Sequence, residues 1–157
     1  MPSDTGDDLD AVQAVVLLVD DNEQNVELLE AYLEELGATI RIARDGVEAL
    51  EQVQRAKPDI ILLDIMMPRM SGFQVCSTLK RDGKTSDIPI IMVTALSEVS
   101  DVERAVDCGA DDFLIKPVNK LELITRVRAL IKLGRLQRLL NKTLGELRAY
   151  REGSSPG

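Results

Sequence analysis

Short apolar runs alternate along this chain with longer stretches in which apolar residues recur every three or four positions. The runs cover residues 14–19, 38–43, 59–63, 88–93 and 112–115. Each is of strand length, rich in Val, Ile or Leu, and without clean two-residue alternation, the pattern of parallel strands covered on both faces. Between them the period becomes helical. Val26, Leu29, Leu33 and Leu36 step by three, four and three, with Gly37 placed as a C-cap. Val47, Leu50 and Val53 repeat that period ahead of Pro58, and Phe73, Cys76 and Leu79 do so again. Val99, Val102 and Val106 follow, closed by Gly109. Five strands alternating with helices predict right-handed crossovers and a doubly wound, five-stranded parallel α/β sheet.

The fifth helix is predicted to begin at Asn119, an N-cap residue just after Lys116-Pro117, and to continue through Leu121, Ile124 and Arg128. Apolar residues persist at Leu133, Leu136, Leu140, Leu144 and Leu147, the spacing of a narrow seam. The domain has its helices by Leu133, so this seam is read as a dimerising or signal-transmitting extension that needs a partner. The competing reading is a helix folded back on its own domain. Gly134 and Gly145, at about 1 kcal/mol each inside a helix, weigh against one long helix. The chain therefore divides into an acidic disordered tail (1–12), one domain (13–133), a helical extension and coiled-coil candidate (134–151), and a flexible tail (152–157).

Composition narrows the options. The chain has 157 residues, 45% hydrophobic but only 3% aromatic with no Trp, so aliphatic side chains and Met must fill one compact core. Net charge is -8, which predicts no direct nucleic-acid partner. The charge is uneven: residues 119–157 carry nine Lys or Arg against three Glu, while Asp4, Asp7, Asp8 and Asp10 crowd the N-terminal tail. The basic residues between 120 and 151 are read as the solvated side of the last helix. Cys76 and Cys108 form no C-x-x-C pattern and are expected to be buried free thiols in a reducing cytosol. No apolar run approaches the roughly 20 residues of a membrane span, and the acidic start lacks a signal-peptide core, so a cytoplasmic location is expected.

Chemistry collects where the strands end. In such a sheet ligands bind outside the carboxyl ends of the strands, near the reversal of strand order. The first run ends in Asp20-Asp21, the third in Asp64, the fourth in Thr94 and the fifth in Lys116-Pro117. The second ends in Arg44-Asp45, read instead as a helix start with Asp45 as N-cap. Three converging carboxylates repel one another unless a cation neutralises them. Oxygen ligands point to Mg²⁺, and the absence of His disfavours zinc. Lys116 adds a point charge and Thr94 a hydroxyl donor at the same mouth. A carboxylate nucleophile, a metal and two donors are what phosphoryl transfer to an aspartate requires. Taken singly, each part has an ordinary explanation: Asp20-Asp21 as helix caps, Asp64 as a loop cap, Lys116 as a solvated turn. Their joint placement at four strand ends is what argues for a site.

Val19-Asp20-Asp21-Asn22, Asp64-Ile65-Met66-Met67-Pro68, Ser71-Gly72, Thr94-Ala95 and Lys116-Pro117 together resemble the receiver domains of response regulators in two-component signal transduction. The likeness covers about residues 14–133. It implies the flavodoxin-like strand order 2-1-3-4-5. It further implies that Asp64 accepts a phosphoryl group from a sensor histidine kinase or phosphotransfer protein. Asp21 would ligate Mg²⁺ directly, Asp20 mainly through water, and the Met66 carbonyl would complete the protein's share. Lys116 would contact the phosphoryl group and Pro117 would follow a cis peptide. Thr94 and Phe113 would form the switch, Phe113 by packing alone where many relatives carry Tyr. Met66 and Leu96, both apolar, cannot orient an attacking water, which implies a long-lived phosphoaspartate. Output would pass through a partner or a homodimer on the face of the fourth helix, fifth strand and fifth helix.

Two other readings stand beside this one. A Mg²⁺ phosphohydrolase with an aspartyl nucleophile usually needs an acid or base two residues on, where Met66 sits, so turnover of external substrates is not expected. A phosphate-independent scaffold would leave the complete residue set without a use. No output-domain motif follows the seam, so the chain is expected to act through a partner, through its own dimerisation, or as the front part of something longer.

Overall fold

The computed structural model describes residues 14–95 and 99–154. Five strands alternate with five helices: β1 (Val15–Val19), α1 (Glu23–Leu33), β2 (Thr39–Ala43), α2 (Gly46–Arg55), β3 (Ile60–Asp64), α3 (Gly72–Arg81), β4 (Ile90–Thr94), α4 (Val99–Asp107), β5 (Asp112–Ile115) and α5 (Lys120–Ser154). All pairings are parallel, in the order β2-β1-β3-β4-β5. The 1–12 tail, Leu96 and residues 155–157 lie outside the described residues, as do the side chains of Val99 and Val102.

The two-sided burial of the central strands explains why their hydropathy does not alternate. Val16, Leu18, Ile60, Leu62, Ile91 and Val93 face one layer, built from α1 and α5. Leu17, Val19, Ile61, Leu63, Ile90 and Met92 face the other, built mainly from α2 and α3. Successive strand residues point to opposite faces, so a doubly covered strand must be apolar at every position. Each fully buried Leu or Ile contributes roughly 1.5–3 kcal/mol. The edge strands β2 and β5 are only half-buried.

Local signals set the helix ends. Asn22, not Asp20 or Asp21, caps α1, its side chain accepting from Asn25 N at 3.1 Å. Asp45 caps α2 through Glu48 N at 2.8 Å, Ser71 opens α3 with a capping box, and Asn119 accepts from Glu122 N at 3.0 Å. After α1 a 3-10 turn over Glu34–Leu36 ends at Gly37, whose φ of 66° is left-handed.

Some faces differ from the periodic expectation. Val47 is 52% exposed and Val106 69% exposed, while Gly46, Ala49 and Ala105 are buried beside them. A Cβ on Gly46 would lie 2.8 Å from the Val75 side chain, so this small residue seats α2 against α3, and the larger valines are left at the margin. In α5 the buried positions are Leu123, Ile124, Val127, Ile131 and Gly134, whereas Leu121 faces solvent. Cys76 is buried as expected, but Cys108, one residue past α4, is only partly buried. Helix α5 runs unbroken through Gly134, Gly145 and Gly153, three residues into the stretch expected to be a tail. Its extension therefore does not fold back.

Candidate active site

Strand register assembles the site. Val19 pairs with Leu63, so the next residues, Asp20 and Asp64, leave neighbouring strands at the same level. Asp64 pairs with Val93 and Thr94 with Ile115, which sets Thr94 and then Lys116 at the same mouth. This is the point where strand order reverses between β1 and β3. Among the described residues, the buried polar or charged ones are Asp20, Asp64 and Thr94, all at this mouth.

One carboxylate oxygen from each of Asp20, Asp21 and Asp64 lies within 4.8 Å of the others, with Asp21 exposed. Lys116 Nζ stands 3.6 Å from Asp20 Oδ2 and 3.6 Å from Asp64 Oδ1. Asp20 Oδ1 accepts from Asn22 N at 2.9 Å, which holds the turn into α1. Met66 N donates to Asp64 Oδ1 at 3.3 Å. The Lys116-Pro117 peptide is cis, and Lys116 N donates to the Thr94 carbonyl at 2.7 Å, tying β5 to β4 at the mouth. Phe113 is partly buried against the α2–α3 layer.

Burial, followed by the nearby Asp20 carboxylate, pushes Asp64 from its ordinary 3.8 up to about 6. Lys116 and the Met66 N–H pull the other way, and Asp21 adds a smaller upward push. Three carboxylates against one ammonium leave the site two charges short of neutral. An all-oxygen donor set with that deficit fits one hard divalent cation such as Mg²⁺. The carboxylates of Asp20, Asp21 and Asp64 would hold it; Met66 is placed two residues beyond Asp64 in the adjoining loop.

The loop from β3 to α3 is tightly drawn. Met70 N donates to the Pro68 carbonyl at 2.7 Å, which puts Arg69 at a left-handed φ of 69°. Gly72 N returns to the Ile65 carbonyl at 3.0 Å, closing the loop against the end of β3.

Two carboxylates with structural duties gave no signal in the sequence. Asp59 Oδ2 accepts from Val15 N at 2.7 Å, and Arg138 reaches Asp59 Oδ1 at 3.1 Å. Asp111 Oδ2 accepts from Ile90 N at 2.8 Å and from Lys80 Nζ at 2.9 Å. Their partners are remote in sequence, so no local pattern marks them.

Comparison with known proteins gives a consistent picture. The profile of the response regulator receiver domain matches residues 16–128. The DNA-binding dual master transcriptional regulator RpaA of Synechocystis is 40% identical over 117 residues, covering 74% of this chain and 48% of RpaA. Response regulator PleD of Caulobacter vibrioides is 46% identical over 121 residues, covering 77% of this chain and 27% of PleD. The chain thus spans about half of one relative and about a quarter of the other. RpaA is a DNA-binding protein by name, so the relatives lend no support to the expectation that nucleic acid is no partner. Among solved structures, the receiver domain of sensor histidine kinase PA1611 from Pseudomonas aeruginosa has a magnesium ion coordinated in its active-site cleft. It matches with TM-score 0.71 and 30% identity, covering 76% of this chain and 98% of that one. No described helix is long and apolar enough to cross a membrane.

Proposed function

Since this chain belongs to the receiver-domain family of response regulators, we propose that it is a phosphorylation-driven signalling switch with Asp64 as phosphoacceptor. The observation that carries this is the shared reach of Lys116, 3.6 Å from both Asp20 and Asp64 at the mouth where the buried polar residues among those described gather.

The donor is a phosphohistidine on a sensor kinase or phosphotransfer protein. An Asp64 carboxylate oxygen attacks phosphorus in line, the P–N bond breaks, and the imidazole leaves and takes up a proton. Lys116 and the Thr94 hydroxyl donate to phosphoryl oxygens, so charge is met by groups already in place. The Asp20, Asp21 and Asp64 carboxylates and the Met66 carbonyl would hold Mg²⁺, which would supply the remaining positive charge. Beside Lys116 lies an apolar cleft of about 380 Å³ lined by Asn25, Leu28, Leu29, Pro117 and Val118, open to a partner helix.

Phosphorylation then acts as a differential contact that biases two states through Thr94 and Phe113. Output passes through altered binding of a partner or of a second copy, in the cytoplasm. The domain does not turn over external substrates, and with Met66 beside the acceptor its phosphoaspartate is long-lived.

Incubation with Mg²⁺ and acetyl phosphate, followed by intact mass measurement, tests the reading. One phosphate adduct is expected, absent from Asp64→Asn and absent without Mg²⁺. No adduct under conditions that label other receivers would favour a phosphate-independent scaffold.

A further inference from the structure

Helix α5 has two parts with different surroundings. Up to Ile131 it buries Leu123, Ile124, Val127 and Ile131 against the sheet, and Arg138 reaches back to Asp59. From Leu136 to Gly153 every residue is exposed, yet the helix continues. Helical stability in proteins comes mostly from packing of an apolar face, and in this stretch no leucine is buried by its own chain.

The uncovered face is patterned. Leu133, Leu140 and Leu147 are seven apart and occupy heptad position a, with Leu136, Thr143 and Tyr150 at d. The leucines of this face, with Leu139 and Leu144 beside it, are 41–57% exposed. Gly134 and Gly145, the least helix-favouring of residues 133–151, fall at b and f, on the side away from a partner. Thr143 turns its hydroxyl onto the Leu139 carbonyl at 3.0 Å, which satisfies it within the helix.

The flanking positions identify the occupant. In a parallel pair, position g of one helix meets position e of the next heptad in the other. Leu139 then meets the partner's Leu144, Glu146 meets the partner's Arg151, and Lys132 meets the neutral partner's Gln137. No like charges face each other. In an antiparallel pair with the same core layers, Leu139 would instead lie against the partner's Glu146.

We propose that residues 133–151 form a parallel two-stranded coiled coil with a second copy of this chain. This deepens the second-copy branch of the function above and does not rest on phosphoryl transfer at Asp64.

The test uses the full chain. Light scattering at high micromolar concentration is expected to give twice the 17.3 kDa chain mass. Leu140→Glu with Leu147→Glu should halve that mass while leaving the thermal midpoint of the domain body unchanged. Glu146→Arg should weaken the dimer, and adding Arg151→Glu should restore it. Tyr150→Cys should cross-link copies on mild oxidation with ferricyanide, each thiol losing one electron and one proton, while wild type does not. Asp64→Asn should remain dimeric. A monomer with and without phosphodonor, a dimer that survives the double Leu substitution, or a dimer without the Tyr150→Cys cross-link would each overturn the proposal. A failed phosphorylation assay with the dimer intact would sink only the switch reading.

Discussion

A Cβ on Gly72 would lie 2.3 Å from the backbone oxygen of Asp64. It would also lie 2.8 Å from Ile65 Cα, so both obstacles are main chain and neither can rotate aside. The start of α3 is therefore seated directly on the strand end that carries Asp64. Gly72→Ala is expected to destabilise the protein by about 3 kcal/mol or more, since overpacking must here move backbone. Urea denaturation measures this, and an unchanged midpoint would refute the close-approach argument.

The raised Asp64 carboxyl makes a pH-dependent prediction with a definite sign. An acid held up at about 6 when folded and near 3.8 when unfolded binds its proton more tightly in the folded state. Its contribution to stability is complete below about pH 4 and is lost as pH rises through about 6. Metal-free Asp64→Asn should therefore melt above wild type at pH 7, and that advantage should shrink towards pH 4. Mg²⁺ should raise the wild-type melting temperature at pH 7 and do so less below pH 6, where Asp64 is protonated. A mutant advantage that grows on acidification would contradict the assignment.

Asp59 joins the start of β1 to the middle of α5. Asp59→Ala leaves the Val15 N–H without its acceptor and releases Arg138, at an expected cost of about 1–3 kcal/mol. Arg138→Gln removes only a half-exposed ion pair and should cost under about 1 kcal/mol. Hydrogen exchange should show faster exchange at Val15 in the first variant alone. Equal effects of the two substitutions would show that the backbone bond is not the important one.

The two thiols should differ in reactivity. A hydrogen bond with Cys76 brings Cys108 down to about 7 against the opposing effect of burial. The same bond, together with burial, pushes Cys76 up. Iodoacetamide at pH 8 should modify Cys108 first, with a rate rising through pH 7, because the thiolate is the nucleophile. Cys76→Ala should move that midpoint up towards the ordinary 9.0. Peptide mass spectrometry reads the order, and faster labelling of Cys76 would reverse the argument.

Much of this protein was legible in its residues. The strand runs, the alternation with helices and the caps at Asp45 and Asn119 lie within a residue or two of their final places. So do the strand-end positions of Asp20, Asp64, Thr94 and Lys116. Hydropathy period and capping act across a few neighbouring residues, and sequence adjacency records them. Spacing failed where packing chose among apolar residues: Ala49 and Ala105 went inward and Val47 and Val106 outward, a choice made by neighbours from other elements. It was also silent on Asp59 and Asp111. Only the register of four parallel pairings brought Lys116 to 3.6 Å from Asp64, and only the run of α5 beyond its contact with Asp59 left the later leucines uncovered. The chain by itself determined which groups the site and the seam contain. Their distances and exposure belong to contacts between segments far apart in sequence, which no local pattern encodes.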